Sequence, residues 1–297
     1  MVCFGSAWAL VLVEALCGGV RAGGAAALQP LVAERPPFEY TLREGADGRI
    51  SLLRVESSPV RWAGWEGWFE ELSYPAVTFH NGGINDAIRG DVPPEGVPAT
   101  VSVGGEELYL FQVMFSGDCM LASYGLPPNR FGVVLDPRVL VCFGAGGRGP
   151  LWSVDFSEYM HAPHQVEDSS FTVQAVRWAE VRDGVLYVSH SHRTYSASSG
   201  GLNAYVTAID LSDMDLLWRS RPLVCNSHNF VVLGNTIICG YGFTNEDDYV
   251  YLLDRETGEV YDYVIVDSAP EYLAALGSYL YVRCHNEDYV MEIRSSG

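Results

Sequence analysis

Ala204–Trp218, AYVTAIDLSDMDLLW, decides the fold. An apolar run rich in β-branched and aromatic residues reaches Asp210, a short polar turn follows, and a second apolar run ends at Trp218. This is the pattern of two strands joined by a tight turn, because an Asp side chain can bond the backbone two residues on. The arrangement returns in Tyr249–Tyr261, YVYLLDRETGEVY, where Asp254 opens the turn and Thr257-Gly258 lies inside it. It begins again at Tyr289–Ile293, YVMEI, and stops there.

Another hairpin precedes each copy: EVRDGVLYV (Glu180–Val188), VVLGNTIIC (Val231–Cys239) and AALGSYLYV (Ala274–Val282). A fainter copy emerges when Cys119 is laid on Val185 without a gap. Val139–Phe143 then falls on Tyr205–Ile209, and Leu151-Trp152 on Leu217-Trp218. Each unit reads as four strands, a to d, near 108–115, 119–124, 138–143 and 150–155 in the first copy. The last unit lacks strand d.

Repetition of one four-stranded unit predicts an all-β chain, a β-propeller of antiparallel blades. The missing last strand predicts closure by an N-terminal strand, which removes an exposed edge. Phe38–Arg43 is the expected donor. Strands at Ile50–Val55, Ala76–His80 and Ala99–Val103 would supply a further blade. The expected total is about five blades, with six or seven as the alternative. Residues 23–297 then form one propeller domain, with clear repeats over 105–297 and a divergent part over 23–104. An open solenoid or a sandwich is the competing architecture, since strand periodicity alone does not exclude either.

AYVTAIDLSDMDLLW and DYVYLLDRETGEVYDY resemble the repeat of quinoprotein-type (PQQ-like repeat) β-propellers. In that family a strand ends in Leu-Asp, a Thr-Gly turn follows, and the next strand carries an aromatic residue. The resemblance covers Glu106–Gly297 and implies fold far more than activity. The family includes quinone-dependent dehydrogenases as well as non-catalytic assembly and scaffold propellers. The chain lacks the adjacent cysteine pair of the dehydrogenases and is too short for their blade number, so bound PQQ is not expected.

At 297 residues, 48% apolar and 12% aromatic, the chain can bury a sizeable core and is not a disordered polymer. Its charge of −19 comes from 37 acidic residues against 18 basic ones, all of them Arg. Such a surface repels polyanions, which excludes nucleic acid and leaves a protein or small molecule as partner. A monomer is expected.

The apolar run Ala7–Cys17 precedes Val20-Arg21-Ala22, which fits the small-residue rule for secretory cleavage, although Glu14 interrupts the run and no basic residue precedes it. Residues 1–22 are therefore read as a signal peptide and the protein as extracytoplasmic, periplasmic or secreted. The run is too short to span a bilayer, so no transmembrane segment is predicted. Five cysteines remain, an odd number without metal-type spacing: Cys119, Cys142, Cys225, Cys239 and Cys284. Buried thiols are the expectation, with a pair among Cys119, Cys142 and Cys225 as the alternative.

In a propeller the b-to-c and d-to-a connections emerge on one face. His161, His164 and His228 fall in d-to-a connections, and His190, His192 and His285 at b-to-c connections. Imidazoles converging from several blades can hold a transition metal, with Arg193 and Tyr195 nearby to bind or protonate a substrate. The blander reading is that each His caps a strand or bonds a neighbouring carbonyl. The acidic turns NEDDY (Asn245–Tyr249) and NEDY (Asn286–Tyr289) lack the ligand spacing of a calcium loop. Trp62, Trp65 and Trp68 read as packing residues, with a platform for a ring as the alternative.

Two functions follow. The leading one is a non-catalytic exported propeller that binds a protein or small ligand on its histidine-bearing face. The other is a metal-dependent lyase or oxygenase using several of the six histidines. No nucleophile elbow or HExxH motif turns the balance toward catalysis.

Overall fold

A computed structural model describes residues 49–58, 76–78, 93–130, 132–144, 148–161, 172–192 and 194–295. The predicted signal peptide, Phe38–Arg43, Trp62, Trp65, Trp68, His164 and Arg193 lie outside these residues.

The described chain is all-β apart from two single 3-10 turns, Ser157–Tyr159 and Ser196–Ser199. It begins with β1 (Ile50–Ser58), β2 (Ala76–Thr78) and β3 (Thr100–Val103). Sheet I is the meander β4 (Glu106–Ser116), β5 (Cys119–Leu126), β6 (Leu135–Gly144) and β7 (Arg148–Asp155), with β2 and β3 both pairing β4. Sheet II comprises β8 (Ala175–Arg182), β9 (Val185–Ser191), β10 (Tyr205–Asp210) and β11 (Leu216–Arg219). Sheet III comprises β12 (Val231–Leu233), β13 (Thr236–Tyr241), β14 (Asp248–Asp254) and β15 (Val260–Val266). Sheet IV joins β16 (Pro270–Leu276), β17 (Tyr279–Cys284) and β18 (Asp288–Ser295) to β1 at its edge. Every pairing is antiparallel.

The four sheets coincide with the four repeat units, and strands a to d fall in the expected order. The gapless offset between the first two copies extends to register. Cys119 faces Gly144 and Tyr124 faces Val139 in sheet I, while Val185 faces Asp210 and His190 faces Tyr205 in sheet II. The donor strand is corrected: β1, not Phe38–Arg43, pairs with the last strand, so Ile50–Ser58 completes sheet IV rather than contributing to a further sheet.

Burial explains the strand patterns. Strands b are buried almost end to end, β5, β9 and β13 alike, because core residues of successive sheets pack on both of their faces. Strands d lie outermost and expose Leu151, Leu217, Tyr263, Ile265, Leu53 and Val55. A sheet covered on both faces reads as a continuous apolar run, whereas a half-exposed strand alternates.

The turns that betrayed the repeat work as their chemistry requires. Asp254 Oδ1 accepts from the N–H groups of Glu256 and Thr257, and the N–H of Gly258 donates to the Asp254 carbonyl at 2.8 Å. Asp210 Oδ1 accepts from Ser212, and the N–H of Met214 closes the same bond to the Asp210 carbonyl. Gly258 has φ +72°, and a Cβ there would lie 2.3 Å from Trp218 Cε3. All five described cysteines are free thiols. No helix of the described residues is long and apolar enough to cross a membrane.

Candidate functional site

The ends of strands b and the connections leaving strands d converge around a cleft of about 640 Å3. Sheet II supplies Arg177 and His192, the β11–β12 connection Asn226 and His228, the loop after β13 its segment from Gly242 to Asn245. The β15–β16 connection adds Asp267 to Ala269, the start of β16 adds Pro270 and Glu271, and the turn after β17 adds His285 and Asn286. The cleft thus draws on three successive sheets.

Hydrogen bonds fasten these loops to one another. Asn226 accepts from the N–H of Gly242 at 3.1 Å and donates to its carbonyl at 2.7 Å. A side chain at Gly242 would collide with Asp248 and Ala269, so the backbone can approach them only as glycine. Glu271 ties the His228 backbone and the His285 ring to one residue. Its carbonyl accepts the backbone N–H of His228 at 2.7 Å, and its carboxylate lies 3.1 Å from Nδ1 of His285. The His228 ring stacks on Tyr272 with centres 4.7 Å apart and planes 13° from parallel.

The opposite wall is held as firmly. His192 donates its backbone N–H to Asn203 at 2.8 Å, and its Nε2 meets the Ser199 hydroxyl at 2.8 Å. Burial, reinforced by the nearby charge of Arg177, lowers the His192 pKa to about 4, so the ring is neutral at neutral pH. Arg177 Nε donates to the Ser191 hydroxyl. Asp248 goes the other way. Burial, followed by the charges of Asp247, Glu246 and Asp267, raises its carboxyl to about 6.

The structure therefore gathers three of the six candidate histidines, His192, His228 and His285, about one cleft. His161 is exposed at the end of the first 3-10 turn, away from the cleft lining. His190 belongs to the core. It is the sixth residue of β9, the place taken by Tyr124 in β5, Tyr241 in β13 and Cys284 in β17, all buried. Among the described residues no three of His, Cys, Asp and Glu stand close enough to share one metal ion. Tyr195 is exposed but packs edge-on against Phe243, a residue of the cleft wall, at 5.0 Å.

No family model matches the chain, and no curated protein matches it. Among solved structures, the computationally designed Ika4 protein shares 9% identity over 62% of this chain and 89% of its own, with a TM-score of 0.37. The designed Ika8 protein shares 10% over 66% of this chain and 56% of its own, with a TM-score of 0.38. BamB from Moraxella catarrhalis shares 12% over 82% of this chain and 100% of its own, with a TM-score of 0.35.

Sequence reasoning named the histidines but missed Glu271, Asp248 and Asn226. Glu271 is the second residue of an ordinary strand and Asp248 belongs to a turn read only as acidic. Only the meeting of three sheets shows that they share a space.

Proposed function

We propose that the protein is an exported, non-catalytic β-propeller that holds a small polar ligand, or a polar side chain of a partner protein, in this cleft. The observation that carries the reading is a preformed concavity on the loop face whose walls are locked by their own hydrogen bonds. Preorganised walls spare a ligand the cost of ordering loops as it binds. Asp267 and Glu271 outnumber Arg177, and His192 is neutral, which favours a cationic group.

Titration of the full chain with methylammonium and methylguanidinium tests it, followed by amide NMR. Saturable shifts confined to Thr244, Ser268 and Asn286, weakened roughly tenfold by Glu271→Gln, are expected for a charge-assisted contact. Shifts elsewhere, or shifts indifferent to that substitution, defeat the reading. Export has its own check, because the secreted chain should begin at Gly23.

A further inference from the structure

Between sheets I and II lies a second group of side chains that the cleft does not use. Arg219, the last residue of β11, sets its guanidinium 3.9 Å from the centre of the Tyr205 ring and 4.5 Å from that of Tyr159. His190 adjoins them. Its ring lies 4.8 Å from Phe156 and stacks on Tyr159 at 6.3 Å, and the residue stands directly opposite Tyr205 across the β9–β10 pairing.

Two features of this group are incomplete among the described residues. Several guanidinium groups of this acidic chain rest on carboxylates: Arg182 on Glu180, Arg255 on Asp183, Arg283 on Asp288 and Arg294 on Glu292. Arg219 rests on none, and its Nε is buried without an acceptor. The second feature lies in the shared slot of strand b. There Tyr124 donates its hydroxyl to the Pro98 carbonyl at 2.9 Å and Tyr241 donates to Glu246, whereas both ring nitrogens of the fully buried His190 lack a partner.

A guanidinium Nε–H withdrawn from water without an acceptor is costly, and so is a buried imidazole whose N–H meets nothing. The two tyrosine rings supply cation–π attraction and hold the guanidinium plane in one orientation. They supply no counter-charge. A planar anion with two acceptor oxygens matches a planar fork of N–H donors, and it would balance the one described guanidinium that lies between two rings rather than on a carboxylate.

We propose that Arg219, held between Tyr159 and Tyr205 beside His190, is a binding site for a carboxylate group. The carboxylate belongs either to a free small acid or to an acidic side chain of a polypeptide, and the chemistry of recognition is the same for both.

The test uses the full chain at constant ionic strength, titrated with sodium acetate against sodium chloride and followed through the Arg219 Nε–H and His190 ring resonances. Acetate should produce a saturable shift that chloride does not. Arg219→Gln should weaken acetate binding by roughly tenfold or more, the loss of a charge-assisted bidentate contact. Tyr159→Ala, which leaves the buried residues in place, should weaken it less but measurably, and an unchanged amide spectrum elsewhere certifies the fold. A short peptide bearing a single Glu, run in parallel, identifies the source: tighter binding than acetate points to a polypeptide, and equal or weaker binding to a free acid. Shifts that grow linearly with acetate, that chloride reproduces, or that persist in both variants overturn the proposal.

Discussion

Ile50 stands directly opposite Ser295, so the first described strand is the partner of the last. The pairing runs on to Ser58 opposite Asp288, with one irregularity between Arg54 and Glu56. The strand also fastens sheet IV to sheet III. The N–H of Ile50 donates to the Tyr261 hydroxyl, Arg54 donates to the Ile265 carbonyl, and Arg49 pairs with Asp254 at 3.1 Å. The first described strand thus covers an edge that β18 would otherwise present to other chains.

Two deletions read out this pairing. Removing residues 1–48 spares β1 and gives the reference midpoint of thermal unfolding. Removing residues 1–58 strips β18 of its partner and should lower the midpoint by roughly 10 °C or more, with soluble oligomers appearing in light scattering. Equal behaviour of the two truncations would show that β1 contributes little.

Gly258 separates backbone strain from collision. Gly117 and Gly258 both have positive φ, +56° and +72°, but a Cβ at Gly117 meets nothing within 4 Å while one at Gly258 strikes the Trp218 ring. Gly117→Ala should cost about 1 kcal/mol, the price of a left-handed conformation alone. Gly258→Ala should cost about 2 to 4 kcal/mol, because the indole, whose N–H donates to the Arg255 carbonyl at 3.0 Å, must also move. Urea unfolding of the two variants gives the comparison directly.

Those turns also explain what the sequence could disclose. Asp210 and Asp254 announce their hairpins because the turn chemistry is local, and the offset from Cys119 to Val185 survives into register because no residue intrudes between the copies. The donor strand was misplaced because Ile50–Ser58 and Phe38–Arg43 are both plausible strands, and pairing with a distant segment leaves no mark within either. The histidines show a different limit. His190 and His192 sit two apart and so share a side of the strand. Yet β9 ends at Ser191, leaving the first in the core and the second, though also buried, in the wall of the cleft. Alternation reports side; it does not report depth.

Arg283 and Asp288 form a fully buried, two-pronged ion pair, with both bonds at 3.0 Å, at the turn where β17 passes to β18. Asp288→Asn leaves the guanidinium buried without its counter-charge and should cost about 3 to 5 kcal/mol. The double change Arg283→Met with Asp288→Leu removes both charges and should recover most of that loss in denaturant unfolding. A double variant as unstable as the single one would mean that the pair is favourable in its own right.

His192 and Asp248 face the same cleft with pKa values displaced in opposite directions, so their contributions to stability against pH have opposite sign. His192 ionises near 4 in the folded chain and, like any exposed histidine, near ~6.5 when unfolded. Across that window the unfolded chain binds more protons, so this residue makes stability rise with pH and lose ground as pH falls. Asp248 ionises near 6 folded and near ~3.9 unfolded, so the folded chain binds the extra proton and stability falls as pH rises. Between about pH 4 and 6 the two effects oppose each other. Asp248→Asn should therefore add about 1 kcal/mol at pH 7, once solvent screening of this half-buried group is allowed for, and nothing below pH ~4. His192→Gln should leave the Asp248 effect exposed, so that its stability, relative to the parent, declines as pH rises through the window. Urea unfolding at intervals across the range measures both differences. Two difference curves that run parallel, or that are both flat, would contradict the assignment of these protons to the cleft.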